Sequence, residues 1–194
     1  MLTKIRLRSA WLVVPLYLWL ADPTAQSIAL GLVVAVLGAL VRGWAAGTIR
    51  KNRVLTTSGP YAYTRNPLYF GSFLIAIGLV IASNEAWLAL LLVANVVIYH
   101  RVMLKEERRL EKLFGDDFKR YEEAVPRFIP RLRPAVIHAP VASDADSLDE
   151  SDMAPDPPPN TPGRFFKRYL RHREYQAMLG IAVMFIALAV KLAL

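Results

Sequence analysis

The fold is decided by residues 67–114, which read PLYFGSFLIAIGLVIASNEAWLALLLVANVVIYHRVMLKEERRLEKLF. Two apolar runs, Pro67–Ala82 and Ala86–Leu104, flank the polar turn Ser83–Glu85. About 20 apolar residues cross the roughly 30 Å hydrocarbon core of a bilayer. The second run is long enough to cross, and flanking residues can complete the first. This stretch therefore predicts a pair of membrane spans joined by a short turn.

Apolar runs on both sides of this stretch extend the pattern. Gln26–Ala46 and Ala177–Leu194 each fit a full span. Ser9–Ala21 is short and contains Pro15, so crossing the bilayer and forming a re-entrant hairpin both stay open for it. The sequence predicts an all-α, polytopic membrane protein with about five transmembrane helices and a cytoplasmic helical extension.

The basic residues are placed unevenly along the chain. Of its 24 Lys and Arg residues, three lie before the first run, five in residues 42–65 and fifteen in residues 101–173. Lys191 is alone on the opposite side of the predicted membrane. The positive-inside rule places the N-terminus and both basic segments in the cytoplasm and the C-terminus outside. The formal net charge of +8 fits anionic lipid headgroups, and without a nucleic-acid fold signature we expect no nucleic-acid partner.

The segment after the fourth span predicts further organisation. Lys105–Glu123 continues as a helix, with apolar residues at helical spacing and Gly115 expected to kink or cap it. We expect three regions. Residues 1–133 form a membrane core, residues 134–163 form a disordered linker rich in Pro, Ala, Asp and Ser, and residues 164–194 carry a basic interfacial helix and the last span.

The composition excludes several kinds of chemistry. Cysteine is absent, which excludes a disulfide scaffold, a cysteine zinc site and a cysteine nucleophile. Only three histidines are present, His100, His138 and His172, and they are widely spaced. We therefore expect no metal site.

A first candidate cluster is residues 56–71, TTSGPYAYTRNPLYFG. Gly59-Pro60 predicts a turn, and Pro67 suits the first turn of the next helix. Arg65, Asn66 and Tyr69 then lie near a helix N-terminus, where free backbone N–H groups favour an anionic ligand group. An interfacial tyrosine belt with a topology-setting arginine explains the same residues, and the spacing leaves both interpretations open.

A second cluster is Glu106-Glu107 at the end of the fourth span. Carboxylates beside hydrocarbon are costly, so they tend to face a cavity or a partner. The alternative is a solvated helix face with ion pairs between residues three apart, such as Glu106–Arg109 and Arg108–Glu111. Taken alone, the second cluster favours this alternative.

Together the two clusters resemble a known family. Arg53–Gly71, Glu106–Tyr121 and Val125-Pro126-Arg127, in that order and spacing, are similar to the isoprenylcysteine carboxyl methyltransferases and the related phospholipid N-methyltransferases. The resemblance covers about Arg50–Pro130, close to half of the chain. Neither cluster alone would be specific, whereas the ordered pair is.

The resemblance implies an integral-membrane enzyme that binds S-adenosylmethionine in a cytoplasm-facing pocket. No side chain is assigned as catalytic. Asn66 stands where the family usually has His, and it cannot titrate near neutral pH. Val102 holds the position of the family's substrate-reading Arg, and the adjacent Arg101 is the substrate-binding candidate. The residues expected to contact the cofactor are Arg53, Val54, Leu55, Thr56, Tyr61, Arg65, Asn66, Pro67, Leu68, Tyr69, Glu106 and Glu107.

The resemblance favours a membrane methyltransferase that acts on a lipophilic small molecule or lipid entering from the bilayer. The compact chain and its high content of Ala and Arg favour a bacterial inner membrane. The acceptor is a carboxylate or an amine, and the residues do not separate these two. A non-catalytic membrane scaffold or a transport-associated protein of the same fold is the alternative.

Overall fold

A computed structural model of the chain describes residues 14–49, 55–137 and 175–194. All regular structure within these residues is helical, as predicted. Two short 3-10 turns, Gly59–Ala62 and Ala86–Ala89, precede the third and fourth helices. The helices are α1 (residues 14–20), α2 (Ala25–Thr48), α3 (Pro67–Ser83), α4 (Leu90–Ala124) and α5 (Tyr175–Ala193).

The predicted polytopic membrane fold is confirmed. Among the described residues, three helical stretches are long and apolar enough to cross a membrane: Ala25–Thr48, Ala86–Ala124 and Tyr175–Ala193. α3 is apolar but has only 17 residues, about 26 Å of helix at 1.5 Å per residue. With α1 this makes about five helices.

Several predictions fall on residues that the structure does not describe. They concern the start of the first apolar run (residues 9–13), Arg53 and Val54, the linker from residue 138 onward, and the basic interfacial helix up to residue 174. All of these lie outside the described residues.

The turn between α3 and α4 lies where the sequence predicted it. α3 ends at Ser83, and Asn84 follows with a φ of 56°. This left-handed conformation is one that asparagine tolerates better than most residues. The Ser83 hydroxyl accepts a hydrogen bond from the Glu85 N–H at 3.3 Å, so polar groups of the turn satisfy each other.

The described residues form two compact units. The bundle unit consists of residues 14–39, Ser72–Val97 and Gln176–Leu194. The motif unit consists of the described parts of Leu40–Gly71 and Ile98–Tyr175. Three helices, α2, α3 and α4, contribute residues to both units.

In the bundle unit, α2 and α3 meet through small residues. A Cβ atom on Gly31 would lie 2.4 Å from the Gly78 carbonyl oxygen, and one on Gly78 would lie 2.5 Å from the Gly31 oxygen. Ala35 and Ala82, each four residues further on, complete the contact. Such small residues four apart let two helix backbones approach closely in a membrane.

Lys191 ties α5 to the end of α1 within the same unit. Its ammonium group donates to the carbonyl oxygens of Leu18, Trp19 and Ala21 at 2.8, 2.9 and 2.6 Å. The last carbonyl groups of a helix lack helical donors and carry partial negative charge. A lysine donating to three of them therefore caps α1.

In the motif unit, α4 bends at Gly115, which has a φ of 51° and a ψ of −121°. The predicted kink is confirmed, since side-chain-bearing residues rarely adopt this conformation. Beyond it, Phe118, Tyr121 and Val125 form a buried apolar cluster with Leu55. The chain continues from this cluster to the start of the predicted linker, where Ala135 and Ile137 pack against it.

Candidate functional site

The first motif forms a tight turn that leads into α3. Gly59 has a φ of 60°, and a Cβ there would lie 3.1 Å from the Thr48 side chain. Asn66 begins α3, since its carbonyl oxygen accepts from the N–H groups of Tyr69 and Phe70 at 3.1 and 3.0 Å. Pro67, which has no N–H to satisfy, takes the first helical position.

The backbone after α4 pairs with this turn. The Thr64 hydroxyl lies 3.2 Å from the Arg127 carbonyl oxygen and 3.0 Å from that of Phe128, so it can donate to either. This pairing brings together residues about 60 positions apart in the chain. Three backbone hydrogen bonds complete it: Arg65 N–H to Pro126 O (2.9 Å), Arg131 N–H to Tyr63 O (3.0 Å) and Ala135 N–H to Ala62 O (2.9 Å).

We call the region where residues 61–66 pair with residues 126–135 the junction. Glu107 lies at its centre, and its side chain is only 8% exposed. It accepts from Arg127 Nε at 2.8 Å and from Asn66 Nδ2 at 3.4 Å. Arg65 Nη1 is an ion-pair partner 3.4 Å from Glu107 Oε1, the same oxygen that accepts from Asn66, whereas Arg127 donates to Oε2. A buried carboxylate is costly unless it is paired and hydrogen-bonded, and this one is both.

Arg65 joins this centre to the far part of α4. Its Nη1 donates to Glu122 Oε1 at 2.7 Å, and its guanidinium lies 5.9 Å from the centroid of the Phe118 ring. Its Nε is buried and has no hydrogen-bond partner within the described parts of the chain. The side chain therefore keeps one unused donor next to a paired carboxylate.

Tyr121 of α4 makes a further hydrogen bond at the junction. Its hydroxyl donates to the Tyr61 carbonyl oxygen at 2.8 Å. Burial raises the pKa of this phenol; Arg65 lowers it to a smaller extent, and Glu107 adds to the rise. Tyr121 therefore stays protonated and continues to donate throughout the physiological range.

The acidic pair divides into two different environments. Glu107 is held by Arg127, Arg65 and Asn66, whereas Glu106 is exposed. Neighbouring residues of a helix point about 100° apart, so one faces the junction and the other does not. The pair is thus one buried structural carboxylate and one accessible carboxylate.

The remaining predicted contact residues differ in accessibility. Leu55, Tyr61, Asn66 and Pro67 are buried. Thr56, Leu68 and Tyr69 are partly buried, and Tyr69 packs on Tyr99 with ring centroids 5.2 Å apart. Arg101 is exposed on α4, and it contributes nothing to the hydrogen bonds and ion pairs at Glu107.

Two residues of the junction had no role in the sequence-based reasoning. Arg127 lies in the Val-Pro-Arg part of the motif, so the motif contained a signal for it. Glu122 pairs with Arg65 at 2.7 Å, but nothing in the local sequence distinguishes it from the neighbouring acidic residue. Only the pairing of distant backbone segments brings it to Arg65.

The described residues contain no group of three or more His, Asp or Glu side chains that could hold a metal ion. Within those residues the polar site is instead built from ion pairs and amide hydrogen bonds around Glu107.

Comparison with known proteins agrees with the motifs. Residues 23–117 match the family model of phospholipid methyltransferases. The protein-S-isoprenylcysteine O-methyltransferase of Schizosaccharomyces pombe is 34% identical over 84 residues, which cover 42% of this chain and 35% of that protein. The predicted resemblance to this family of membrane methyltransferases is confirmed.

Two further relatives are named for metal resistance. The cobalt-zinc-cadmium resistance protein CzcN of Cupriavidus metallidurans is 37% identical over 108 residues, 54% of this chain and 50% of that protein. The nickel-cobalt-cadmium resistance protein NccN of Alcaligenes xylosoxydans xylosoxydans is 33% identical over 117 residues, which cover 59% of this chain and 53% of that protein. The matched region thus spans about half the length of these relatives. No solved structure matches the chain.

Proposed function

We propose that this chain is an S-adenosylmethionine-dependent methyltransferase that acts in the membrane on a lipophilic substrate. The observation that supports this most is the junction at Glu107. It joins the two halves of the family motif, which lie 41 residues apart at Asn66 and Glu107. The matched family region, residues 23–117, contains Asn66 and Glu107, whereas Arg127, which also pairs with Glu107, lies beyond it.

Two groups near the motifs have the chemistry to hold such a cofactor. Glu106, which points away from the junction, offers an exposed carboxylate for ammonium or hydroxyl donors. The Nε of Arg65 is a donor suited to a carboxylate, but it is buried, so a ligand reaches it only if the surrounding side chains move. The partly buried ring of Tyr69 offers an aromatic face of the kind that attracts a cationic sulfonium. When bound, the cofactor supplies an activated methyl group on a positively charged sulfur.

The residues of the junction also bear on the methyl acceptor. An amine acceptor must lose a proton, and a carboxylate need not. Glu107 is not available to such an acceptor, since its side chain is buried and its two oxygens already contact Arg127, Arg65 and Asn66. The proposal therefore favours a carboxylate acceptor. The protein's contribution is alignment of the reactants and exclusion of water.

A second candidate is a role in metal resistance, favoured by the names of the two relatives that are 37% and 33% identical. The two candidates do not exclude each other, because the first is a reaction and the second is a physiological role. Growth of a deletion strain on cobalt, zinc and cadmium salts, with and without the gene restored, tests this second role.

Calorimetry with S-adenosylmethionine on the purified protein in detergent tests the first role. Glu106→Gln keeps the shape and removes the charge, so affinity is expected to fall roughly ten- to a hundred-fold. Glu111→Gln, at another exposed position on α4, is the control and should change affinity less than about threefold. Equal, small effects would contradict a cofactor contact at Glu106. Wild-type protein, labelled cofactor and a lipid extract then identify the methylated product by mass.

We further propose that the N-terminus, the site and the linker face the cytoplasm, and that the C-terminus lies outside. Single-cysteine variants at Arg50 and Ser147 test this in intact cells with an impermeant thiol reagent, since the chain has no native cysteine. Neither should label, and labelling from outside at either position would contradict the orientation.

The three-region division at residues 133 and 163 also stays a proposal. Ala135 donates to the Ala62 carbonyl oxygen, so the described start of the linker belongs to the packed junction. Replacement of residues 138–163 by a Gly/Ser linker should leave cofactor affinity within a few-fold. Complete loss of binding would show that the linker contributes to the site.

A further inference from the structure

An open groove of about 690 Å³ runs along α4 and does not include Glu107. Five of the six side chains that line it are basic, and the sixth is apolar. They are Arg101, Leu104, Lys105, Arg108, Arg109 and Lys112. The groove therefore concentrates positive charge, and Arg101 is the only one of its lining residues that was a candidate for the proposed reaction.

Four of these basic residues share one helix face. Arg101, Lys105, Arg108 and Lys112 follow each other at intervals of four, three and four residues, which keeps them within about 40° of one direction. Glu107 points about 100° away from Arg108 on the same helix. We call this row the basic face. It extends over about 16 Å of helix, given 1.5 Å per residue.

The charges of the basic face lack acidic partners. Within the described residues, none of the four side chains is within ion-pair distance of a carboxylate, and all four are exposed. The next basic residues of α4 differ, because Lys119 pairs with Asp116 and Arg120 pairs with Asp117. An uncompensated row of cations calls for a negatively charged ligand.

The turns of α4 before the basic face indicate where that ligand lies. Their exposed side chains are apolar, with Val93 60%, Val97 48% and Ile98 56% exposed. α4 continues from this apolar part directly into Arg101 as one helix. A helix that changes from exposed apolar to exposed basic residues within one turn places the cations at the level of lipid headgroups.

We propose that the basic face of α4 binds the phosphate groups of anionic phospholipids. Lysine and arginine near a negatively charged membrane surface each add to binding. Leu104 is the one apolar side chain in the lining of the groove and is suited to contact the apolar part of a lipid. The lining of the groove includes neither Glu106 nor Glu107, and the proposal does not depend on the proposed reaction.

Short-chain lipids test the proposal on the full-length protein in a zwitterionic detergent. We expect dihexanoyl phosphatidylglycerol to bind at least about tenfold more tightly than dihexanoyl phosphatidylcholine, and its binding to weaken with added salt. The triple variant Lys105→Gln, Arg108→Gln, Lys112→Gln should lose about tenfold or more of the phosphatidylglycerol affinity.

The matched control removes three exposed positive charges elsewhere: Lys119→Gln, Arg120→Gln, Arg133→Gln. Its phosphatidylglycerol affinity should stay within about twofold. Equal losses in the two triple variants, or equal binding of the two lipids, would overturn the proposal in favour of a general charge effect. All altered side chains are exposed, and thermal unfolding of each variant verifies that it is folded.

Two competitors identify the source of the negative charge. Inorganic phosphate and a single-stranded oligonucleotide are each added against bound phosphatidylglycerol at equal concentration of charge. If the lipid is the ligand, it stays bound. Displacement by phosphate would assign the groove to a free anion, and displacement by the oligonucleotide would assign it to nucleic acid. Either result would overturn the lipid assignment.

Discussion

The bundle unit and the motif unit are stabilised by different kinds of contact. In the bundle unit, Gly31 and Gly78 bring two helix backbones together, and the buried residues are almost all apolar. In the motif unit, Glu107 is surrounded by hydrogen-bond and ion-pair donors from Asn66, Arg65 and Arg127. In lipid, helices gain little by hiding apolar surface, so close packing must supply their association. Loops have no helical ladder, so polar side chains must fix them.

The largest effect is expected at Glu107. Glu107→Gln removes the negative charge that Arg65 and Arg127 share, so unfolding should become easier by about 3 kcal/mol. Thermal unfolding in one detergent measures this. Glu106→Gln, at the exposed neighbour, should stay within about 0.5 kcal/mol. Comparable losses at both positions would mean that the junction is not centred on Glu107.

The next effect concerns packing in the bundle unit. Gly78→Ala places a methyl group 2.5 Å from the Gly31 carbonyl oxygen, and backbone cannot yield as a flexible side chain does. A loss of about 2 kcal/mol is expected. Gly180→Ala is the control, since a Cβ there meets nothing within 4 Å. It should be neutral or slightly stabilising. If the two variants unfold alike, close approach of α2 and α3 does not matter.

A smaller loss of stability is expected at Lys191, the charged residue that caps α1 in the bundle unit. Lys191→Met keeps the apolar stem and leaves three carbonyl groups of residues 18–21 without their donor. About 1.5 kcal/mol should be lost. Leu192→Met, at an exposed position one residue further on, provides the baseline. Hydrogen exchange localised to residues 14–20 should speed up in the lysine variant only; unchanged exchange there would argue against a capping role.

The smallest effect is expected at Tyr121 in the motif unit, and it should depend on pH. Tyr121→Phe removes the hydrogen bond to the Tyr61 carbonyl oxygen and should cost about 1 kcal/mol near neutral pH. Because the pKa of Tyr121 is raised from 10.0 in the folded protein, its proton stabilises the fold fully below pH 10, and this stabilisation is lost as pH rises further. The free energies of unfolding of the parent and the variant, measured as a function of pH, should therefore converge above pH 10. Curves that stay parallel would contradict the assignment.

The acidic pair illustrates where sequence reasoning ends. The order and spacing of the two motifs singled out Glu106-Glu107 together with Arg65 and Asn66. The structure brings Glu107, Arg65 and Asn66 together, and their role as cofactor contacts stays a prediction. The pattern did not divide the pair into a buried and an exposed carboxylate. That division depends on which side of α4 meets the residues around Pro126, and the α4 kink at Gly115 lies between them.

The sequence by itself determined the helices and, to within about four residues, their limits. Runs of apolar residues, the Ser83–Glu85 turn, Pro67 and Gly115 act over a few neighbouring residues, so α2, α3, α4 and α5 could be read from local pattern. Only the tertiary structure decided which side-chain contacts hold these helices and the loops together. The partnership of Glu107 with Arg127, the pairing of Arg65 with Glu122, and the cap that Lys191 places on α1 join residues 20, 57 and about 170 positions apart. Such contacts depend on where folding brings distant backbone together, and no local pattern of charge or hydropathy encodes that distance.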